Sequence, residues 1–431
     1  MKVARITLFT LLAALVAVGV STTSYAFHSG GVAECGGCHA MHTAKLGAPS
    51  LLVGSDPSSA CLTCHQNAAD TGPSSYHVST DPGKLTAGLS PLQRTPGGDF
   101  GWLKKNYTST SGTTTYTEAG ATHGHNIIAT DFGYVVDDNN ATAPGGTFPS
   151  ANLSCVSCHD PHGKFRRLLS GTIATGGAPI KASGSYDNLS VNEPTATEAV
   201  GVYRLLAGNG YSNITSGVIG YPGVPAAKAP GTYNQAEPTA VTQVRVAYGV
   251  ATTGGHATWG NWCATCHPRM HSTGNYVHPV DTSLLTATAT LYGQYVKSGD
   301  MGGSLASSFL SLVPFATNSG DYTALAAFAK NNGSGTSLSG PTSTDQVMCL
   351  SCHRAHASGF VEMLRFDQGY EFTTVNGQYV GTDNPSVTGS RAALQNRGRT
   401  NAEWQAAYYD RPATNFATYQ RVLCNKCHAK D

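Results

Sequence analysis

The stretch "ECGGCHAMH", residues 34–42, places two cysteines three positions apart, a histidine directly after the second, and another histidine three residues on. Its C-x-x-C-H core recurs at Cys61-Cys64-His65, Cys155-Cys158-His159, Cys263-Cys266-His267, Cys349-Cys352-His353 and Cys424-Cys427-His428. Together with Cys35-Cys38-His39 these six motifs, numbered I to VI in chain order, use all twelve cysteines. The pattern is that of covalent haem attachment: the cysteines form thioethers with the vinyl groups and the histidine falls on the iron. A zinc site would pair one C-x-x-C with a second pair or with further histidines, and a disulfide framework would not place a histidine after every second cysteine. The expected cofactors are six haems c, with His39, His65, His159, His267, His353 and His428 as proximal ligands.

Lys2 and Arg5 precede an apolar run from Ile6 to Val20, and Ser24-Tyr25-Ala26 fits a cleavage site, so residues 1–26 read as a secretory signal peptide and 27–431 as a single hexahaem unit. The run is short for a span of about 20 apolar residues. Export suits the chemistry, because bacterial c-type haem is attached outside the cytoplasm. Fifty glycines, accompanied by many Ser, Thr, Pro and Asn residues, predict a chain made largely of turns and coil. The expected fold class is therefore a multihaem cytochrome c with a few short α-helices and minimal β, organised around a continuous haem chain. Covalently held macrocycles replace much of the side-chain core and shorten the loops whose ordering costs entropy.

Helical spacing is visible in "SLASSFLSLV" from Ser304, "YTALAAFAKN" from Tyr322 and "NAEWQAAYYD" from Asn401, and "TQVRVAYGV" from Thr242 alternates like a short strand. Residues 208–235 read as loop. The motif histidines are 26, 94, 108, 86 and 75 residues apart, an irregularity that argues against tandem duplication of one compact module. Without Lys2 and Arg5, 24 basic side chains face 25 acidic ones, and twelve haem propionates make the holoprotein acidic. No basic run interleaved with aromatics suggests nucleic acid. Lys164, Arg166 and Arg167, just after motif III, are candidates for pairing with propionates.

Two histidines on opposite faces of one haem need Cα atoms about 12 Å apart, whereas three residues span at most about 10 to 11 Å. His39 and His42 therefore do not share an iron, and the same holds for His159 with His162 and for His353 with His356. Each second histidine of these H-x-x-H runs, if a ligand, reaches a different haem. Ten histidines lie outside the motifs, and the mature chain holds five methionines, so bis-histidine ligation and low potentials are expected. Six-coordinate irons pass electrons and bind substrate poorly, which makes electron transfer the expected role. A reductase of small oxyanions would need a vacant iron position. Motif I near the start of the mature chain and motif VI three residues from its end suggest cofactors reaching both ends, with His42 as a bridge to another molecule.

"FHSGGVAEC", "DTGPSSYH", "PGGDFGW", "CHDPHGK", "CLSCHRAHASGF" and "LCNKCHAKD" resemble the OmcS-type extracellular hexahaem cytochromes, the nanowire subunits of metal-reducing bacteria. The resemblance implies an exported polymer of identical subunits joined end to end, six stacked bis-histidine haems, other cytochromes as donors and extracellular acceptors such as metal oxides, electrodes and partner cells. It implies that His42 ligates the haem at His353 of the neighbouring subunit. It draws six distal ligands from eight candidates: His28, His42, His77, His125, His162, His271, His278 and His356. His123 and His256 match no histidine of that family. A monomeric periplasmic or cell-surface carrier is the alternative architecture.

Overall fold

The computed structural model describes residues 35–40, 42–67, 77–85, 89–162, 166–169, 173–174, 196–197, 200–201, 203–228, 245–250, 256–271, 278–329 and 339–428. The expected signal segment, His28 and Lys164 lie outside them. Among the described residues no helix is long and apolar enough to cross a membrane.

Each haem motif sits on, or at the end of, one helical turn. Cys35–Cys38, Cys155–Cys158 and Cys349–Cys352 are four-residue helices; motif II ends the helix Pro57–His65, motif IV runs out of Trp259–Ala264, and motif VI overlaps Asn425–His428. With 3.6 residues per turn, positions i, i+3 and i+4 share a face, so both sulfurs and the imidazole project to one side. The turns are short because their ends are used: the N–H of His39, His159, His267, His353 and His428 each donates to the carbonyl of its motif's first cysteine. Helix Pro57–His65 is better specified, with Pro57 in the first turn and Asp56 capping Ser59 N at 2.7 Å.

The longest described helix, Leu285–Gln294, has ten residues. Tyr322–Phe328 and Asn401–Ala407 form where the sequence predicts helices, the second with a Thr400–Glu403 capping box. The stretch from Ser304 departs from expectation, giving only the 3₁₀ turn Leu305–Ser307. Its serines bond their local backbone and one another, as in Ser308 Oγ to Leu305 O, and so compete with the helical ladder. Strands are short and paired in twos and threes. Ala247–Gly249 is central in a three-stranded sheet, and residues 208–228, expected as loop, contribute several two-residue strands. The longest pairing is the hairpin Tyr107–Ser111 with Thr114–Glu118, turned by Gly112 at φ 59°.

The apolar interior is divided. One cluster joins Trp102, Tyr292, Leu312, Phe360, Trp404 and Tyr408; another gathers Leu62, Phe100, Ile127 and Tyr134 beside motif II; a third packs Tyr203, Tyr248, Trp259 and Met348. A chain whose core is interrupted along the line of its motifs has the architecture expected for a fold built around haems.

Candidate haem-binding sites

Successive motifs are neighbours in space. Cys61 lies beside Cys155, and Cys263 beside Cys349. Burial and then the nearby Cys64 raise the Cys38 thiol; burial and then Cys266 raise Cys158; burial and then Cys424 and Cys427 raise Cys352. The six attachment sites thus follow one another in chain order. None of the twelve cysteines is paired in a disulfide, and among the described residues no three His, Cys, Asp or Glu side chains converge as around a bare metal ion.

Motifs I, III and V share one cradle. Opposite each lies a pair of consecutive residues at positive φ: Ser50 and Leu51 (53° and 57°), Arg204 and Leu205 (49° and 53°), Glu362 and Met363 (59° and 58°). The carbonyl of the first accepts from the proximal Nδ1: His39 to Ser50 at 2.8 Å, His159 to Arg204 at 2.7 Å, His353 to Glu362 at 2.7 Å. The carbonyl of the second accepts from the residue after the histidine, Ala40, Asp160 or Arg354. A leucine follows, Leu52, Leu206 or Leu364, bridged to the proximal histidine, and the next N–H, from Val53, Ala207 or Arg365, returns to the motif's second cysteine carbonyl. The irregular motif spacing therefore hides a local backbone cradle used three times. Non-glycine residues in the left-handed region cost about 1–2 kcal/mol each; here the strain aims two successive carbonyls at the motif. With Nδ1–H committed to a carbonyl, Nε2 keeps its lone pair for a metal.

The distal candidates fall into place around these cradles. Two imidazoles on one iron have ring centres about 6 Å apart, from metal–nitrogen bonds of about 2 Å and the ring radius. His39 and His162 stand 6.3 Å apart, His159 and His356 6.3 Å, His125 and His267 6.0 Å, and His278 and His428 6.2 Å. His77 is buried and lies with His65 at the head of a parallel strand pair, Gln66–Asn67 with Ser79–Thr80, where Val78 N donates to His65 O. Burial holds His125 and His159 at a pKa of about 4 and His356 at about 3, well below the usual imidazole value, so the rings are neutral and competent as ligands. This geometry fits haem at every motif with a ring facing it.

His42 is exposed, and no ring contact joins it to His353 or to another histidine among the described residues; nor does any such ring face His353. His271 is engaged elsewhere, its Nε2 2.9 Å from Asp281 Oδ2. His123 is fully buried with both nitrogens used, on Trp102 O and Glu118 Oε1. His256 enters a strand with Val224 opposite. Sequence reasoning missed the buried arginines: Arg354, Arg365, Arg399 and Arg411 are all at most 1% exposed. One of them was within reach of sequence, since Arg354 adjoins His353 in "CHRAH".

No family model matches the chain. It is 50% identical over 432 residues, 95% of each chain, to "C-type cytochrome OmcS" of Geobacter sulfurreducens. The chain belongs to the OmcS family of c-type cytochromes. Two solved structures agree with this in three dimensions: the OmcS nanowires of the same organism, with a TM-score of 0.82 at 48% identity over 94% of this chain and 100% of that one, and the outer membrane cytochrome S filament, at 0.81, 50%, 94% and 100%. As an OmcS-family member the protein is a hexahaem c-type electron-transfer cytochrome, and not an enzyme in the ordinary sense.

Proposed function

We propose that this cytochrome polymerises outside the cell into a filament with one uninterrupted line of bis-histidine haems, and that His42 of each subunit supplies the ligand opposite His353 of the next. Haem contributes one-electron exchange between ferric and ferrous iron. The chain's own residues set the order of the sites, hold the rings of His39, His125, His159, His267, His353 and His356 through Nδ1–carbonyl contacts, and exclude exchangeable ligands. The pairings drawn from the geometry are His39 with His162, His65 with His77, His159 with His356, His267 with His125 and His428 with His278. They leave His271 and His28 out of the six.

One observation carries the intermolecular ligand. His162, from the H-x-x-H of motif III, faces His39 of motif I; His356, from motif V, faces His159 of motif III. Each H-x-x-H histidine thus reaches back by one cradle. His42 holds the same position in motif I, where no cradle precedes it in its own chain, and motif V is the cradle whose forward partner is missing. A contact between different surfaces of identical molecules propagates as an open filament unless the rotation closes a ring. Filaments are loaded by other cytochromes and discharge to extracellular acceptors such as metal oxides, electrodes or partner cells.

His42→Ala tests this. The variant is expected to carry six haems, to stay dispersed in electron micrographs of protein sheared from cells, and to show one five-coordinate iron. Filaments of normal length from the variant would refute the bridge.

A further inference from the structure

The three cradles are alike in backbone but differ in charge at three places: Ser50, Arg204 or Glu362 opens the cradle, Ala40, Asp160 or Arg354 follows the histidine, and only motif V places a cation after the cradle leucine. The residue after the cradle leucine is Val53 at motif I, Ala207 at motif III and Arg365 at motif V, and in each its N–H donates to the second motif cysteine, at 3.0, 2.9 and 2.7 Å. Arg365 is 0% exposed. Its Nε donates to Leu350 O at 2.6 Å and to His353 O at 3.1 Å, and its Nη1 to Ser311 O at 3.3 Å. The guanidinium therefore grips the C-L-S-C-H turn itself. Arginine stays protonated in proteins, so the cation is permanent, and burial strengthens its field.

We infer that Arg365 is a positioning and tuning residue that sets the haem at Cys349, Cys352 and His353 apart from those at motifs I and III by raising its reduction potential. Oxidation of a haem adds one positive charge, and a fixed buried cation beside the proximal ligand disfavours the oxidised state. Within each subunit the site that takes its distal ligand from a neighbour thus becomes an electron-retaining station, and the filament carries a potential step once per subunit. This rests on the haem placement proposed above.

The test is potentiometric titration of purified filaments, followed in the visible spectrum, with haem content counted by mass. In Arg365→Met one of six one-electron components is expected to fall, with the ferrous-to-ferric ratio at its original midpoint dropping about tenfold, equivalent to 59 mV. Arg365→Lys, which keeps the charge, is expected to hold that component within threefold. Equal shifts in both variants would assign the effect to the lost hydrogen bonds and overturn the inference, as would six unmoved components in Arg365→Met. Val53→Arg places a cation at the equivalent half-buried position of motif I and serves where Arg365→Met fails to assemble. One component rising in that variant supports the inference, and none rising overturns it. A wild-type count below six haems would instead overturn the placement on which it rests.

Discussion

Removing His356 separates a ligand from a merely buried histidine. Its ring stands 6.3 Å from His159, stacks on Phe100 at 4.7 Å and 21°, and lies 3.3 Å from Gly98 O through Nδ1. In His356→Ala the haem at motif III loses its distal group while the other five keep theirs. One sixth of the iron should become high-spin when oxidised and bind carbon monoxide when reduced, against none in the wild-type filament. The lost ring contact contributes about 0.5–1.5 kcal/mol, the hydrogen bond about 1 kcal/mol, and the remaining hole brings the total destabilisation to about 3 kcal/mol. Free imidazole, small enough to enter that hole, should restore the low-spin spectrum. Stoichiometric carbon monoxide titration and electron paramagnetic resonance measure both effects. Six low-spin irons in the variant, with no carbon monoxide uptake, would refute the pairing and require another histidine opposite His159.

Two further outcomes follow from residues away from the iron. Burial alone would raise Glu118, but the His123 hydrogen bond at 2.7 Å and the Arg399 charge outweigh it and hold the carboxyl well below its usual range. Its stabilisation is present above about pH 4.5 and is lost as pH falls through the lower folded-state value; Glu118→Gln, which leaves Arg399 buried without its partner charge, should cost about 3 kcal/mol in a denaturant titration at pH 7 and remove that acid dependence. At Gly98 the φ is +93° and an added Cβ would lie 1.8 Å from Ala357 O, so Gly98→Ala should cost more than about 3 kcal/mol and, by displacing the His356 loop, generate the same carbon monoxide-binding sixth of the haem.

The attachment sites were legible because C-x-x-C-H is local: a single helical turn contains all its chemistry. The H-x-x-H arithmetic was legible too, since chain reach alone forbids His39 and His42 from sharing an iron. The identities of the partners were not. His125 pairs with His267 across 142 positions of sequence, and nothing in the segment around His125 encodes that meeting. His271 looked as available as the other candidates, and His123 stood apart only in matching no histidine of the family; it is the fold that brings Asp281 to the first and Glu118 and Trp102 to the second. The threefold cradle escaped notice because its sequence is degenerate: "SLL", "RLL" and "EML" share little beyond the final leucine, and what repeats is a pair of left-handed residues that no propensity favours. The intervals between its copies differ within the chain, and loop length between cradles carries a small entropic cost.

The cradle explains how a chain of this size can make a structure of unlimited length. His162 of motif III faces motif I and His356 of motif V faces motif III, so the register between modules is written into the subunit twice, and the proposed His42 bridge would use it a third time. A subunit that folds has already built two examples of the junction by which it joins its neighbour. On the proposed bridge, the bond that closes the junction belongs to the same class as the bonds that close the interior, and motif V stays incomplete until assembly occurs. Polymerisation would then complete a six-coordinate, substrate-excluding site: an unassembled subunit would have one exchangeable iron position, and a filament would keep such a position only at the end where the last motif V awaits its His42.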